Sequence, residues 1–213
     1  MPITKHIDIV KRMYEKRNFL VLVFTNLLAQ LGITYYIMNK TNNPNISILP
    51  LFLAQILIIL VIVFVPMPEF MRFMLFCLFS YTFGLMLSGY KKIVDPTTIN
   101  TAVQGAMSVF GVMLATGVVL SAGGIHLGHK FGAFLFWSLL LLIIFRLIFV
   151  LGAHMSQAHK ILSFVGIILF SIYVVYDTNV ILQRNYNGGF IMASMDYYLD
   201  IINLFSNILG SNN

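Results

Sequence analysis

An all-α integral membrane protein, folded as a bundle of seven spanning helices, is the class the sequence predicts, and three observations carry that reading. Of 213 residues, 59% are hydrophobic and 9% charged, against roughly 45–50% and about 25% in soluble domains. Apolar runs of about 20 residues, enough to cross a hydrocarbon core of roughly 30 Å as a helix, recur along the chain. The connections between them are short and carry turn residues: "NKTNNPN", "PMPE", "VDPTT", "GGIHLGH" and "NYNGG". They leave no room for a soluble domain, so residues 1–213 form a single transmembrane domain.

The elements follow in order. Residues 1–17 are a basic segment that holds Lys5, Lys11, Arg12, Lys16 and Arg17, five of the thirteen basic residues. The formal charge of +6 is therefore concentrated where it directs membrane topology, and nucleic acid is not an expected partner. The first span, 18–38, is too long for the apolar part of a cleaved signal and lacks a small-residue cleavage site, so it stays as a helix. Spans follow at about 48–66, 70–90, 100–122, 131–152, 161–182 and 190–209. In the third, Ser80, Gly84 and Ser88 form a small-residue ridge; in the fourth, Gly105, Gly111 and Gly117, with Thr101, Gln104 and Ser108, are read as surfaces for close helix approach. Arg146, about 8 Å from the end of the fifth span, is expected to snorkel toward the interface. The single cysteine, Cys77, forms no internal disulfide.

With a cytoplasmic N-terminus, Lys5, Lys11, Arg12, Lys16, Arg17, Lys130 and Arg184 lie inside, and Lys40, Lys91, Lys92 and Lys160 outside. That excess supports the orientation. The seventh segment, "FIMASMDYYLDIINLFSNIL", carries two aspartates and two asparagines and would insert poorly alone. It is either a central helix shielded by the others or a re-entrant segment.

Asp177, Asp196 and Asp200 are three of only seven acidic residues, and all fall in the last apolar segments. Asp196 and Asp200 are four apart, one turn apart on one helix face, and Asn203 and Asn207 continue the stripe. In the expected topology Asp177 lies about 9 Å from the cytoplasmic end of span six, with Asp196 and Asp200 roughly 9 and 15 Å deep in span seven. An isolated charged aspartate in mid-membrane costs about 2.5–3.5 kcal/mol. Three such groups must share protons, pair with a cation or line water, and neighbouring carboxylates titrate as a unit. They make a proton-sensitive cation site. Ca²⁺ takes several hard oxygen ligands, which the aspartates and Asn203 supply in part, and incomplete coordination suits permeation better than tight binding. By depth, Arg72 reaches this cluster from the cytoplasmic side.

"SIYVVYDTNVIL" followed by "DYYLDIINLFSNIL" resembles the C-terminal signature of the Bax-inhibitor (transmembrane Bax inhibitor motif) family, and "SYTFG" in the third span and the glycine-rich fourth agree with it. The resemblance implies seven helices with the seventh at the centre. It implies passive, pH-sensitive leak of Ca²⁺ across an intracellular membrane, ER or Golgi, in a eukaryotic or viral setting, or across the inner membrane of a bacterium. In eukaryotes and viruses it links that leak to suppression of cell death, with membrane proteins of the death machinery as partners. By motif, Asp177 and Asp200 match the family's paired aspartates, hydrogen-bonded when closed and apart when open, and hold Ca²⁺ transiently as the permeant ion. Asp196 and Asn203 are additional pathway residues, and Arg72 stands where bacterial members carry a latching arginine.

No cofactor is expected, and no enzyme chemistry. His126 and His129 precede span five while His154 and His159 follow it, so they do not converge as zinc ligands. No serine has the G-x-S-x-G setting. Asn39 and Asn45 head glycosylation sequons, read as unmodified because they lie close to the membrane. Tyr173, Tyr176, Tyr197 and Tyr198 flank the aspartates and either donate to them or pack. The competing functional class is a membrane interaction protein whose aspartates only stabilise the bundle.

Overall fold

The computed structural model describes residues 11, 13–41, 47–91, 94–152, 156–183 and 189–212. Residues 11 and 13–15 are helical, and seven longer helices follow: α1 (Arg17–Lys40), α2 (Ile48–Phe64), α3 (Glu69–Tyr90), α4 (Pro96–Ala122), α5 (His129–Gly152), α6 (Ser156–Gln183) and α7 (Gly189–Asn212). No strand occurs among the described residues. Each expected span has its helix. The largest shifts are at the starts of α4 and α6, where the polar turns "PTTI" and "SQAHK" are helical but too hydrophilic to count as apolar span.

Five helices, α1 and α3 to α6, are long and apolar enough to cross a membrane. They expose large apolar side chains as lipid-facing surfaces do, on α5 for example Phe134, Phe136, Trp137 and Leu141. The protein is an integral membrane protein. The apolar stretch of α2, Leu49–Phe64, is shorter, and α7 is not among the five. α7 is nonetheless enclosed, since of its described residues only Ser206 and Asn212 are exposed.

The chain divides into two compact units, Phe19–Ile99 with Gly188–Tyr198, and Met1–Asn18 with Asn100–Asn187 and Leu199–Asn213. In the first unit α2 packs on α3. Tyr198 is fully buried there and meets Phe76, Phe79 and Phe83 edge-on at centroid distances of 5.3, 5.9 and 6.5 Å, the geometry that aligns positive ring edges with negative faces. A string of polar side chains runs through the same core. Asn26 donates to Ser194 (2.6 Å), Gln30 to Asn26 (3.2 Å), Ser80 to Gln30 (2.8 Å) and Thr34 to the Ser80 carbonyl (3.0 Å). Buried groups without water must find such partners, and they tie α1, α3 and the start of α7 together. The expected ridge on α3 is in place: Ser80 and Ser88 are buried, and a Cβ at Gly84 would lie 2.7 Å from the Thr34 carbonyl oxygen.

In the second unit α5 packs on α6. Gly117 gives room to Thr178, whose Cβ lies 2.6 Å from where a Cβ of residue 117 would stand, and Gly105 accommodates Ile208. The rest of the α4 expectation is corrected: Thr101, Gln104, Ser108 and Gly111 are exposed, and nothing lies within 4 Å of a Cβ built on Gly111. Helical spacing places this stripe on the face of α4 turned away from the unit's interior. Gly124 ends α4 in the left-handed region (φ 74), and the amide of Ile125 returns to the Leu120 carbonyl at 3.0 Å. Glycine tolerates that helix-closing conformation without a Cβ penalty.

Candidate functional site

The motif "YDTN" on α6 sends successive side chains in different directions, as 100° per residue requires. The Tyr176 hydroxyl fills the notch left by Gly132 on α5, and Thr178 fits against Gly117 on α4. Asn179 organises the turn between α4 and α5: its Oδ1 accepts from the Leu127 amide (2.9 Å), and its Nδ2 donates to Ser121 Oγ (3.0 Å) and the Ile125 carbonyl (2.8 Å). Gln183, one turn on, adds a bond to the same carbonyl at 2.7 Å. With those three side chains anchored, the remaining direction belongs to Asp177.

Asp177 is half-buried and Asp200 is 3% exposed. Tyr173, one turn before Asp177 on α6, lies within electrostatic range of both carboxylates. Counting from the helix ends explains why. Tyr173 is about 15 Å from the end of α6, and Asp200 is about 16 Å from the start of α7. Both expected gate residues belong to one unit of the protein, and Tyr173 lies within electrostatic range of each.

Beyond Asp200, the α7 stripe has an ordered arrangement. Asn203 Nδ2 donates to the Leu199 carbonyl and Asn207 Nδ2 to the Asn203 carbonyl, each at 2.7 Å. The amide nitrogens are spent on their own helix, which turns both Oδ1 atoms outward. Asp196, Asp200, Asn203 and Asn207 fall within an arc of about 60° at helical spacing, so oxygen atoms line one face of α7. Asp196 is half-buried and belongs, with the first part of α7, to the other unit.

Arg146 corrects an expectation. It does not snorkel: its Nη2 donates to Asn207 Oδ1, while its Nε is buried without a hydrogen-bond partner. The Asn207 carboxamide occupies the space over Gly166 on α6, where a Cβ would collide with it. Three helices therefore converge on Asn207. From sequence, the depth of Arg146 was legible, but which neighbour its face would meet was not.

Arg72 sits in the first turn of α3 with its Nε buried and unbonded, in the unit that does not contain Asp177 or Asp200. Glu69, three residues earlier, has Oε1 2.5 Å from where a Cβ of Gly189 would stand. Gly189 opens α7 at φ 69, and an acidic group over a helix N-terminus is electrostatically favourable. Lys16, read only as part of the basic cluster, donates to the Ile181 carbonyl at 2.7 Å, near the end of α6. The tyrosines divide: Tyr198 shares a hydrogen bond with Thr34 (2.5 Å), Tyr197 stacks on Phe24, and Tyr173 faces the acids. His126 and His129 lie at the α4–α5 turn, and His159 in the first turn of α6 beside Gly210. His154 and Asn45 lie outside the described residues. Asn39, in the last turn of α1, accepts from Lys91 at 2.7 Å.

The profile of the family described as "Inhibitor of apoptosis-promoting Bax1" matches residues 11–211. Among curated proteins the chain is similar to Protein LIFEGUARD 1 of Arabidopsis thaliana, 31% identical over 135 residues, covering 62% of this chain and 54% of that protein. It is also similar to Bax inhibitor 1 of Saccharomyces cerevisiae, 28% identical over 136 residues, 61% of this chain and 44% of the relative. The Golgi anti-apoptotic protein of Vaccinia virus is 34% identical over 80 residues, 38% of this chain and 33% of the viral protein. The matches thus span about half or less of the length of these relatives. Because the family profile covers nearly all of the sequence, acidic α6–α7 motifs included, the chain belongs to the family of inhibitors of apoptosis-promoting Bax1.

Proposed function

We propose that this protein is a passive, pH-sensitive Ca²⁺ leak pathway, with Asp177 and Asp200 as its gate and Asp196 and Asn203 as further oxygen ligands along α7. The observation that carries the reading is the placement of two carboxylates, half-buried Asp177 and buried Asp200, on apolar helices of one unit of a membrane protein. Where two carboxylates meet, they share a proton at low pH and repel when both are ionised, so in this reading their separation responds to pH. Partial ligation of Ca²⁺ by carboxylate and carboxamide oxygens, completed by water, allows the ion to leave.

In this reading all seven helices cross, α7 is the central one, the N-terminus is cytoplasmic, and Arg72 latches the closed pair. The anti-apoptotic name of the viral relative supports a role in cell survival through calcium homeostasis, in a Golgi or ER membrane of a eukaryotic or viral setting. The same name also suits a protein that acts by binding partners of the death machinery without conducting ions.

The test is Ca²⁺ flux into proteoliposomes holding the purified full chain, at about pH 6 and about pH 8, beside Asp177→Asn and Asp200→Asn. Flux that depends on pH in the parent and loses that dependence in either variant is the expected result. No flux above empty liposomes from folded protein moves the assignment to partner binding.

A further inference from the structure

The oxygen row of α7 ends at a cation. Asn207 lies about 10 Å along the helix from Asp200, and the guanidinium of Arg146 is bonded to it. Among the described residues Asn207 is the polar partner of Arg146, whose Nε has none. Arginine does not give up its proton in proteins, and a buried charge with one neutral partner is costly to hold. The arrangement is not accidental in shape: Gly166 leaves the room that lets Asn207 present its oxygen to Arg146.

We infer that Arg146 is a fixed electrostatic barrier at the end of the α7 row opposite the aspartate gate, limiting how readily cations pass. The inference rests on the leak reading and adds a second, charge-based control to it. A cation that moves from Asp200 past Asn203 goes from a carboxylate toward a guanidinium within about 10 Å, where low dielectric leaves Coulomb forces strong. Arginine serves as such a barrier in selective pores. The barrier weakens when Asn207 and Arg146 part, or when the charge is removed.

The experiment compares Ca²⁺ flux through the full chain in proteoliposomes for the parent, Arg146→Gln, Arg146→Lys and Asp200→Asn, each checked for folding by its thermal transition. Arg146→Gln, which removes the charge and keeps a polar amide, should raise flux on the order of tenfold or more and retain the parent's pH profile. Arg146→Lys, which keeps the charge, should stay near the parent. Equal flux in parent and Arg146→Gln overturns the barrier and leaves the aspartate gate standing. A similar rise in both arginine variants also overturns it, since loosened packing and not charge would then be the cause. If the parent is silent and Arg146→Gln conducts, the barrier is supported. If every folded protein is silent, the leak itself fails and the barrier falls with it.

Discussion

The glycines of α4 and α6 allow one chemical change to be tested in two settings. At Gly166 a Cβ collides with the Asn207 carboxamide, whereas at Gly111 it meets nothing within 4 Å. Replacing glycine by alanine in a helix is worth up to about 1 kcal/mol in backbone freedom at either site. At Gly111 that gain stands alone, so Gly111→Ala should be neutral or more stable by up to about 1 kcal/mol. At Gly166 the new methyl must move Asn207, which breaks its bond from Arg146, worth about 1.5–3 kcal/mol for a charged donor, and overfills the site at a further cost of about 1–3 kcal/mol. The net expectation for Gly166→Ala is destabilisation by roughly 2–5 kcal/mol. Reversible unfolding in mixed detergent, followed by circular dichroism, measures both. Equal shifts for the two variants, or a stabilised Gly166→Ala, would refute the packing of α5, α6 and α7 around Asn207.

Tyr198→Phe removes a buried hydroxyl bonded to Thr34 and should cost about 1 kcal/mol, while Tyr198→Ala empties the site among three phenylalanines and should cost about 3–5 kcal/mol in the same unfolding assay. Asn179→Ala deprives the α4–α5 turn of three hydrogen bonds; limited proteolysis should cut between Gly123 and Gly128 faster than in the parent, and an unchanged rate would discard the anchoring role. Lys16→Gln removes a cation from the end of α6, worth about 0.3–1 kcal/mol. Hydrogen exchange of the last turn of α6 should quicken several-fold.

The helices were legible because the bilayer imposes a length on apolar runs, and the polar first turns of α4 and α6 escaped only because hydropathy does not register them. Asp177 and Asp200 stood out as candidates because a carboxylate in such a run is too costly to be incidental, Asp177 standing about 9 Å from the end of α6 and Asp200 about 16 Å from the start of α7. What escaped was partner choice. Nothing local distinguishes an arginine that snorkels from one that turns inward to Asn207, because the decision depends on Gly166 of another helix. Tyr198 stands two residues from both Asp196 and Asp200, yet a strictly local reading misses Thr34, 164 residues away, as its partner.

The bond from Lys16 to the Ile181 carbonyl bears on counting. A chain that leaves one face of a bilayer and returns to it has crossed an even number of times. In the proposed reading six helices, α2 among them, cross between residues 16 and 181, which returns the two groups to one face in agreement with the bond. With 17 residues, α2 is only about 26 Å long, a few ångströms short of an average hydrocarbon core and close to the thinner one of about 27 Å in endoplasmic reticulum membranes. In that reading a thicker bilayer would have to thin around α2, at a modest cost per ångström of mismatch.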